Sequence, residues 1–265
     1  MDVPAGRLFF EEEGAGPAVI LMHAGVADRT MWDEQVEAFA EEHLVVRYDA
    51  LGFGRSTPPD ADHAPHEDLR RLLDHLDLGR VALVGVSMSG GIAVDFALAH
   101  PERLRALTPV AAGLDGYDWS GDELLRQFGA DERAALEAGD VDAAVELNLR
   151  VWVDGPTRRP DQVAASVRER VRQMQRAIFE RGEPAGQPLP LEPFAITRLE
   201  EIRAPTLAIV GDQDVPAIRE ITNLIATRVP GARKHVITNA AHLPNMERPE
   251  EFNRIVLEFL HSVEA

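Results

Sequence analysis

The run Val84-Gly85-Val86-Ser87-Met88-Ser89-Gly90-Gly91 sets a serine among small residues, the pattern of a hydroxyl presented for attack. Val81 to Val86 reads as a buried strand, and Met88 to His100 as a helix stopped by Pro101. A sharp strand-to-helix turn at Ser87 pushes its hydroxyl outward and leaves no room for bulky neighbours. The free N–H groups and positive dipole end of the following helix then face any oxyanion formed beside Ser87. Ser89, with Gly91 two residues on, fits part of the same G-x-S-x-G pattern, but it falls within the first helical turn. Ser87 is therefore the expected nucleophile. The plainer alternative is a helix start with a capping serine.

A serine needs a base, and the base needs an acid to orient it. Val210-Gly211-Asp212-Gln213-Asp214 follows an apolar run and places Asp214 in a loop at a strand end. Asp212 and Asp115 are the competing acids; Asp212 reads as support for its own turn. Asn239-Ala240-Ala241-His242-Leu243-Pro244 follows the next strand and offers His242 as the base. The other histidines fall on helices, helix ends, a loop or a strand. His23-Ala24-Gly25, after the run Ala18–Met22, would bring backbone N–H groups to the same edge. Gly25 and Met88 are thus expected to form the oxyanion hole, with Val26 as the fallback donor and His23 as a structural residue.

The elements needed to hold these loops are legible as alternation. Short apolar runs at Leu8–Phe10, Ala18–Met22, Leu44–Val46, Val81–Val86, Leu104–Val110, Thr206–Val210 and His235–Thr238 read as strands. Helix-period stripes such as Trp32/Val36/Phe39/Ala40 and Leu69/Leu72/Leu73/Leu76 lie between them. That order predicts an α/β fold with a mostly parallel sheet flanked by helices. From Gly116 to Arg198 the alternation stops. Helical patterns at Glu123–Phe128, Asp131–Glu137, Val141–Val153 and Val163–Phe179 precede a proline-rich stretch, Glu183 to Pro193. The division expected is a core of residues 1–115 and 199–265 with an all-helical cap of residues 116–198. Trp152, Val26, Phe128 and Leu243 are the expected substrate contacts. Trp119 and Met174 are further apolar cap residues that read more readily as cap core. Arg168, Arg172 and Arg176 share one helical face, either a solvated stripe or a site for an anionic substrate.

Composition narrows the classes. Twenty-seven basic against 45 acidic residues give a net charge of −18, which opposes binding to nucleic acid or anionic membranes. The chain has no cysteine, which excludes disulfides, thiolate nucleophiles and cysteine-ligated metal sites. No signal-peptide pattern opens it and no apolar run approaches the ~20 residues of a membrane span, so a cytoplasmic location is expected. No metal and no organic cofactor is expected. A homodimer stays open.

At this point the residues resemble the α/β-hydrolase superfamily over nearly the whole chain. Asp49-Ala50-Leu51-Gly52-Phe53-Gly54-Arg55-Ser56 is similar to its D-x-x-G-x-G-x-S loop, and His100-Pro101-Glu102-Arg103-Leu104 to its H-P-E-R-[LV] helix ending. His242-Leu243-Pro244-Asn245-Met246-Glu247-Arg248-Pro249 looks like its catalytic-histidine loop, and Ser87, Asp214, His242 follow its chain order. The helical-cap members, including enol-lactonase-like esterases, are the resemblance. It implies a serine hydrolase acting on a small carboxylic ester or lactone through an acyl-enzyme. Two departures stand out: Ala24 where the family has a glycine after the histidine, and Ser89 where it has the last elbow glycine. Ser87 sets the chain apart from dehalogenases and epoxide hydrolases, which use an aspartate. Met88 sets it apart from proline iminopeptidases, which carry tryptophan there. An acyltransferase, a perhydrolase, a C–C hydrolase or a low-turnover ligand receptor on the same scaffold stay open.

Overall fold

The computed structural model describes residues 1–182 and 184–264. Two short strands, β1 (Asp2–Val3) and β2 (Gly6–Arg7), pair antiparallel as a hairpin at the start of the chain. Then come β3 (Phe9–Glu13), β4 (Ala18–Met22), α1 (Asp33–Ala40), β5 (Leu44–Asp49), α2 (Pro65–His75), β6 (Val81–Val86), α3 (Met88–Ala99) and β7 (Leu104–Val110). After a helical insertion holding α4 (Glu123–Glu137), α5 (Val141–Asn148) and α6 (Ala165–Phe179), the alternation resumes. It continues with β8 (Leu207–Gly211), α7 (Pro216–Arg228), β9 (Arg233–Ile237), α8 (Pro244–Glu247) and α9 (Pro249–Glu264).

The main sheet has seven strands in the order β3-β5-β4-β6-β7-β8-β9. β3 pairs antiparallel with β5, and the other pairings are parallel. β4 and β6 are buried at every position, as uninterrupted apolar strands must be when helices cover both faces. Their side chains alternate. Ile20, Met22 and Leu83 face a core built with Leu72, Phe96 and Ile221, whereas Val19, Leu21 and Val84 face one built with Trp32, Phe39 and Phe252. The expected α/β architecture is the one observed.

Several boundaries differ from the sequence expectation. β3 runs from Phe9 to Glu13, beyond the expected Leu8–Phe10, because an edge strand tolerates acids on its open side; Glu11 reaches the guanidinium groups of Arg29 and Arg47. The two helices expected at Glu123–Phe128 and Asp131–Glu137 are the single α4. The helix expected over Val141–Val153 is α5 followed by a π-helical turn, Leu149–Asp154. Within the proline-rich stretch, Glu183 lies outside the described residues. The neighbouring segment is stitched to the 59–63 loop: Gly186 N–H donates to Pro59 O, His63 N–H to Gln187 O, and Leu189 N–H to His63 O. No helix among the described residues is long and apolar enough to cross a membrane.

Candidate active site

Each residue singled out for chemistry sits just beyond the C-terminal end of a parallel strand, the edge where open α/β sheets gather their sites. Ser87 joins β6 to α3 with φ 56° and ψ −115°. Its N–H donates to Val110 O at 2.8 Å, and its carbonyl accepts from the N–H groups of Gly91 and Gly113, both at 3.1 Å. A side chain at position 85 would run into the Ser89 carbonyl, and one at position 90 into Ala112, so the turn closes only around small residues. Ser89 is itself buried at 1% exposure in the first turn of α3.

Asp214, in the loop after β8, is buried, and its Oδ1 accepts the Val215 N–H at 2.8 Å. His242, in the loop after β9, is buried too. Its Nδ1 lies 3.0 Å from Asp214 Oδ2 and 3.1 Å from Oδ1, and its Nε2 lies 2.7 Å from Ser87 Oγ. A carboxylate only accepts, so Nδ1 carries the proton, and Nε2 of the neutral ring accepts from the serine hydroxyl. The structure thus brings the three expected side chains into one hydrogen-bonded line. The competing acids lie elsewhere. Asp212 accepts the Asn239 N–H at 2.8 Å, which ties the acid loop to the histidine loop, and Asp115 is exposed beside Asp95.

The turn after β4 adjoins the serine. A methyl group placed on Gly25 would sit 3.7 Å from Met88 Cβ and 3.8 Å from its sulfur. Met88 opens α3, where a backbone N–H has no intrahelical partner. His23 is locked: Nε2 accepts the Ala50 N–H at 3.0 Å and Nδ1 donates to Ala24 O at 2.8 Å. Burial lowers its pKa, so it is held neutral as a brace between two loops. Asp49, which opens the D-x-x-G-x-G-x-S run, is a brace of the same kind. It accepts from the N–H groups of Arg29 and Arg55 at 2.8 and 2.7 Å.

The expected substrate contacts divide. Trp152, on the π turn, packs against the His242 ring with centroids 4.5 Å apart and planes tilted by 41°, and its carbonyl accepts the His242 N–H at 3.2 Å. Phe128 of α4 meets Trp152 edge-on at 5.8 Å. Val26 is half-buried against the core. Leu243 is corrected: it is fully buried in the same apolar core that holds Trp32 and Phe252, because the residue that caps α8 turns its side chain inward. Met174 is also core. The arginine face is already paired. Arg168 binds Asp154 and Glu146, both at 2.8 Å, Arg172 binds Glu146 at 2.8 Å, and Arg176 binds Asp142. These pairs fasten α6 to α5 and the π turn. Among the described residues no group of three or more His, Asp or Glu side chains is placed to hold a metal.

Sequence reasoning missed Arg158. Its guanidinium donates to Val153 O and Asp154 O at 2.8 Å, Asn239 O at 3.1 Å and Glu247 Oε2 at 2.7 Å. Only Glu247 had a local signal, as part of the motif around His242.

The whole chain is similar to known hydrolases. A 2-hydroxy-6-oxononadienedioate/2-hydroxy-6-oxononatrienedioate hydrolase of Burkholderia vietnamiensis is 30% identical, covering 96% of this chain and 91% of its own. A pimeloyl-[acyl-carrier protein] methyl ester esterase of Aeromonas hydrophila is 27% identical, over 94% of this chain and 98% of its own. The solved structure of a thermophilic esterase from Thermogutta terrifontis, with malate bound, superposes with a TM-score of 0.82 at 27% identity, covering 98% of this chain and 95% of that one. The family model described as the alpha/beta hydrolase fold matches residues 17–249, and the chain belongs to that family.

Proposed function

We propose that the protein is a serine hydrolase cleaving a small carboxylic ester or lactone through an acyl-enzyme, with Ser87 as nucleophile, His242 as general base and Asp214 as its orienting acid. The observation that carries this reading is the continuous line from Ser87 Oγ to His242 Nε2 at 2.7 Å and from His242 Nδ1 to Asp214 at 3.0 Å. The methyl ester esterase among its relatives supports an ester as the substrate class.

In this mechanism Ser87 attacks the carbonyl carbon while its proton passes to His242 Nε2. Asp214 stabilises the imidazolium from the other side. The N–H groups of Gly25 and Met88, with Val26 in reserve, hold the tetrahedral oxyanion; one such donor contributes about 3 kcal/mol. Nε2 returns the proton to the leaving alcohol, and water activated by the same nitrogen releases the acid. Residues 116–198 act as a cap, with Trp152 and Phe128 bordering the site above His242.

A fluorophosphonate probe tests this directly, read by intact mass and peptide mapping on wild type and Ser87→Ala. One stoichiometric adduct at Ser87, absent from the variant, is the expected result. An adduct at Ser89, or none at all, overturns the assignment.

A further inference from the structure

Trp152 meets His242 through two separate contacts. Its carbonyl accepts the His242 N–H at 3.2 Å, and its ring stands 4.5 Å from the imidazole, centroid to centroid, at a tilt of 41°. The planes are too far from perpendicular for an edge-on contact, and the centroids too close for rings side by side. Imidazole and indole therefore face each other obliquely.

The local chain makes both contacts available. Trp152 lies in the π turn Leu149–Asp154 that extends α5. In an α-helix its carbonyl would accept from the N–H four residues on, but that residue is Pro156, which has none. The carbonyl is left free for the histidine loop. The wider π turn moves the indole off the α-helical register, and Phe128 backs it edge-on at 5.8 Å. The charges around the imidazole are committed elsewhere. Asp214 faces Nδ1 at 3.0 Å. Arg158 spends its guanidinium on Glu247 and on the carbonyls of Val153, Asp154 and Asn239. Asp154 is paired with Arg168 and Arg150.

The ring has a charge to meet once the serine proton moves. Nε2 then carries it, and the imidazole becomes a buried cation between the Asp214 carboxylate and the indole. The negative face of an indole attracts a cation more strongly than any other aromatic side chain, and more so away from water. We propose that Trp152 is a positioning residue for His242: its carbonyl fixes the loop backbone, and its indole stabilises the imidazolium formed on proton transfer from Ser87. The inference rests on the serine-hydrolase reading for that transfer. It gives Trp152 a duty toward the base in addition to the substrate contact expected of it.

The first readout is kinetic, on 4-nitrophenyl acetate with wild type, Trp152→Phe and Trp152→Leu. Both variants keep the backbone carbonyl, so only the ring is tested. Trp152→Leu should lower kcat by roughly tenfold, the size of a partly desolvated cation–π contact, and change KM by less than about twofold. Trp152→Phe should fall between, and it carries the same test if the leucine variant does not fold. The acid limb of the pH–rate profile should move to lower pH, because the charged ring has lost a partner. An indole that only shields His242 from water predicts the opposite movement, since exposure favours the charged form. A raised KM with kcat kept, or an acid limb that stays or moves to higher pH, overturns the inference. NMR of isotope-labelled imidazoles in Ser87→Ala reads the contact without turnover, with His242 identified by the signal lost in His242→Gln. Adding Trp152→Leu should move the His242 titration to lower pH. That result supports the inference even if wild type cleaves no ester, an outcome that would sink only the esterase reading. A titration unchanged or moved to higher pH overturns it even if esters are cleaved.

Discussion

Arg158 and Glu247 meet at 2.7 Å where the helical insertion reaches the histidine loop, with side chains 10% and 5% exposed. Glu247 Oε1 also accepts the Ala241 N–H at 2.7 Å, one residue before His242. Burial nevertheless pushes the Glu247 carboxyl above its ordinary pKa, outweighing the guanidinium and the N–H that favour its charge. Removing one partner strands the other in a dry site. Glu247→Ala should cost about 3–5 kcal/mol of stability, read by urea denaturation, and should lower kcat because the loop carrying His242 loosens. The double variant Arg158→Met/Glu247→Leu should be less destabilised than the sum of its two singles. Simple additivity would mean that the two side chains act independently.

Ser87 holds φ at 56°, a conformation that strains any residue with a Cβ. Ser87→Ala and Ser87→Gly should both be inactive. They should differ in stability, with the glycine variant ahead by about 1 kcal/mol, or about 2–4 °C in Tm for a chain of this size. An alanine variant as stable as the glycine variant would show that the turn carries no strain.

Much of this site was readable because its signals are local. Ser87 and Asp214 each follow an apolar strand within a few residues, His242 follows the edge strand β9, and the small residues around the serine report a turn that cannot hold larger groups. The parallel sheet followed from β4 and β6, whose unbroken apolar runs require cover on both faces. What stayed hidden depends on distant pairing. Arg158 and Glu247 are 89 positions apart and carry no periodicity. Leu243 occupies a loop, where spacing does not reveal which way a side chain turns, and the core claimed it. The acids Glu11 to Glu13 masked the second half of β3 because its open edge leaves them partly in water.

Asp95 supplies a test of pH dependence. Burial pushes its carboxyl up to about 7, with Asp115 adding to the rise and a backbone N–H at Leu191 and the Arg198 charge opposing it. The folded protein therefore keeps a proton that the unfolded chain releases near 3.8. Stability from this group is full below that value and declines as pH rises toward 7. Asp95→Asn should match wild type near pH 4 and exceed it at pH 8 by on the order of 2 kcal/mol, measured as a urea midpoint at each pH. Equal gains at both would trace the effect to packing instead of titration.

Gly155 closes the π turn with φ 74°, and a side chain there would run into the Gln213 carbonyl and approach Ala241 Cβ at 3.2 Å. Those two neighbours directly precede Asp214 and His242. A methyl group at 155 therefore acts as a wedge against both loops at once, where a displacement of about 1 Å can cost on the order of a hundredfold in rate. Gly155→Ala should lower kcat on a simple ester by about that order while leaving KM nearly unchanged, since no substrate contact is removed. Gly139 is the matched control: it has the same φ of 74°, with nothing within 4 Å of the added carbon. Gly139→Ala should lose about 1 kcal/mol of stability to backbone strain alone and keep its kcat. If both variants lose activity alike, general destabilisation and not loop displacement is the cause.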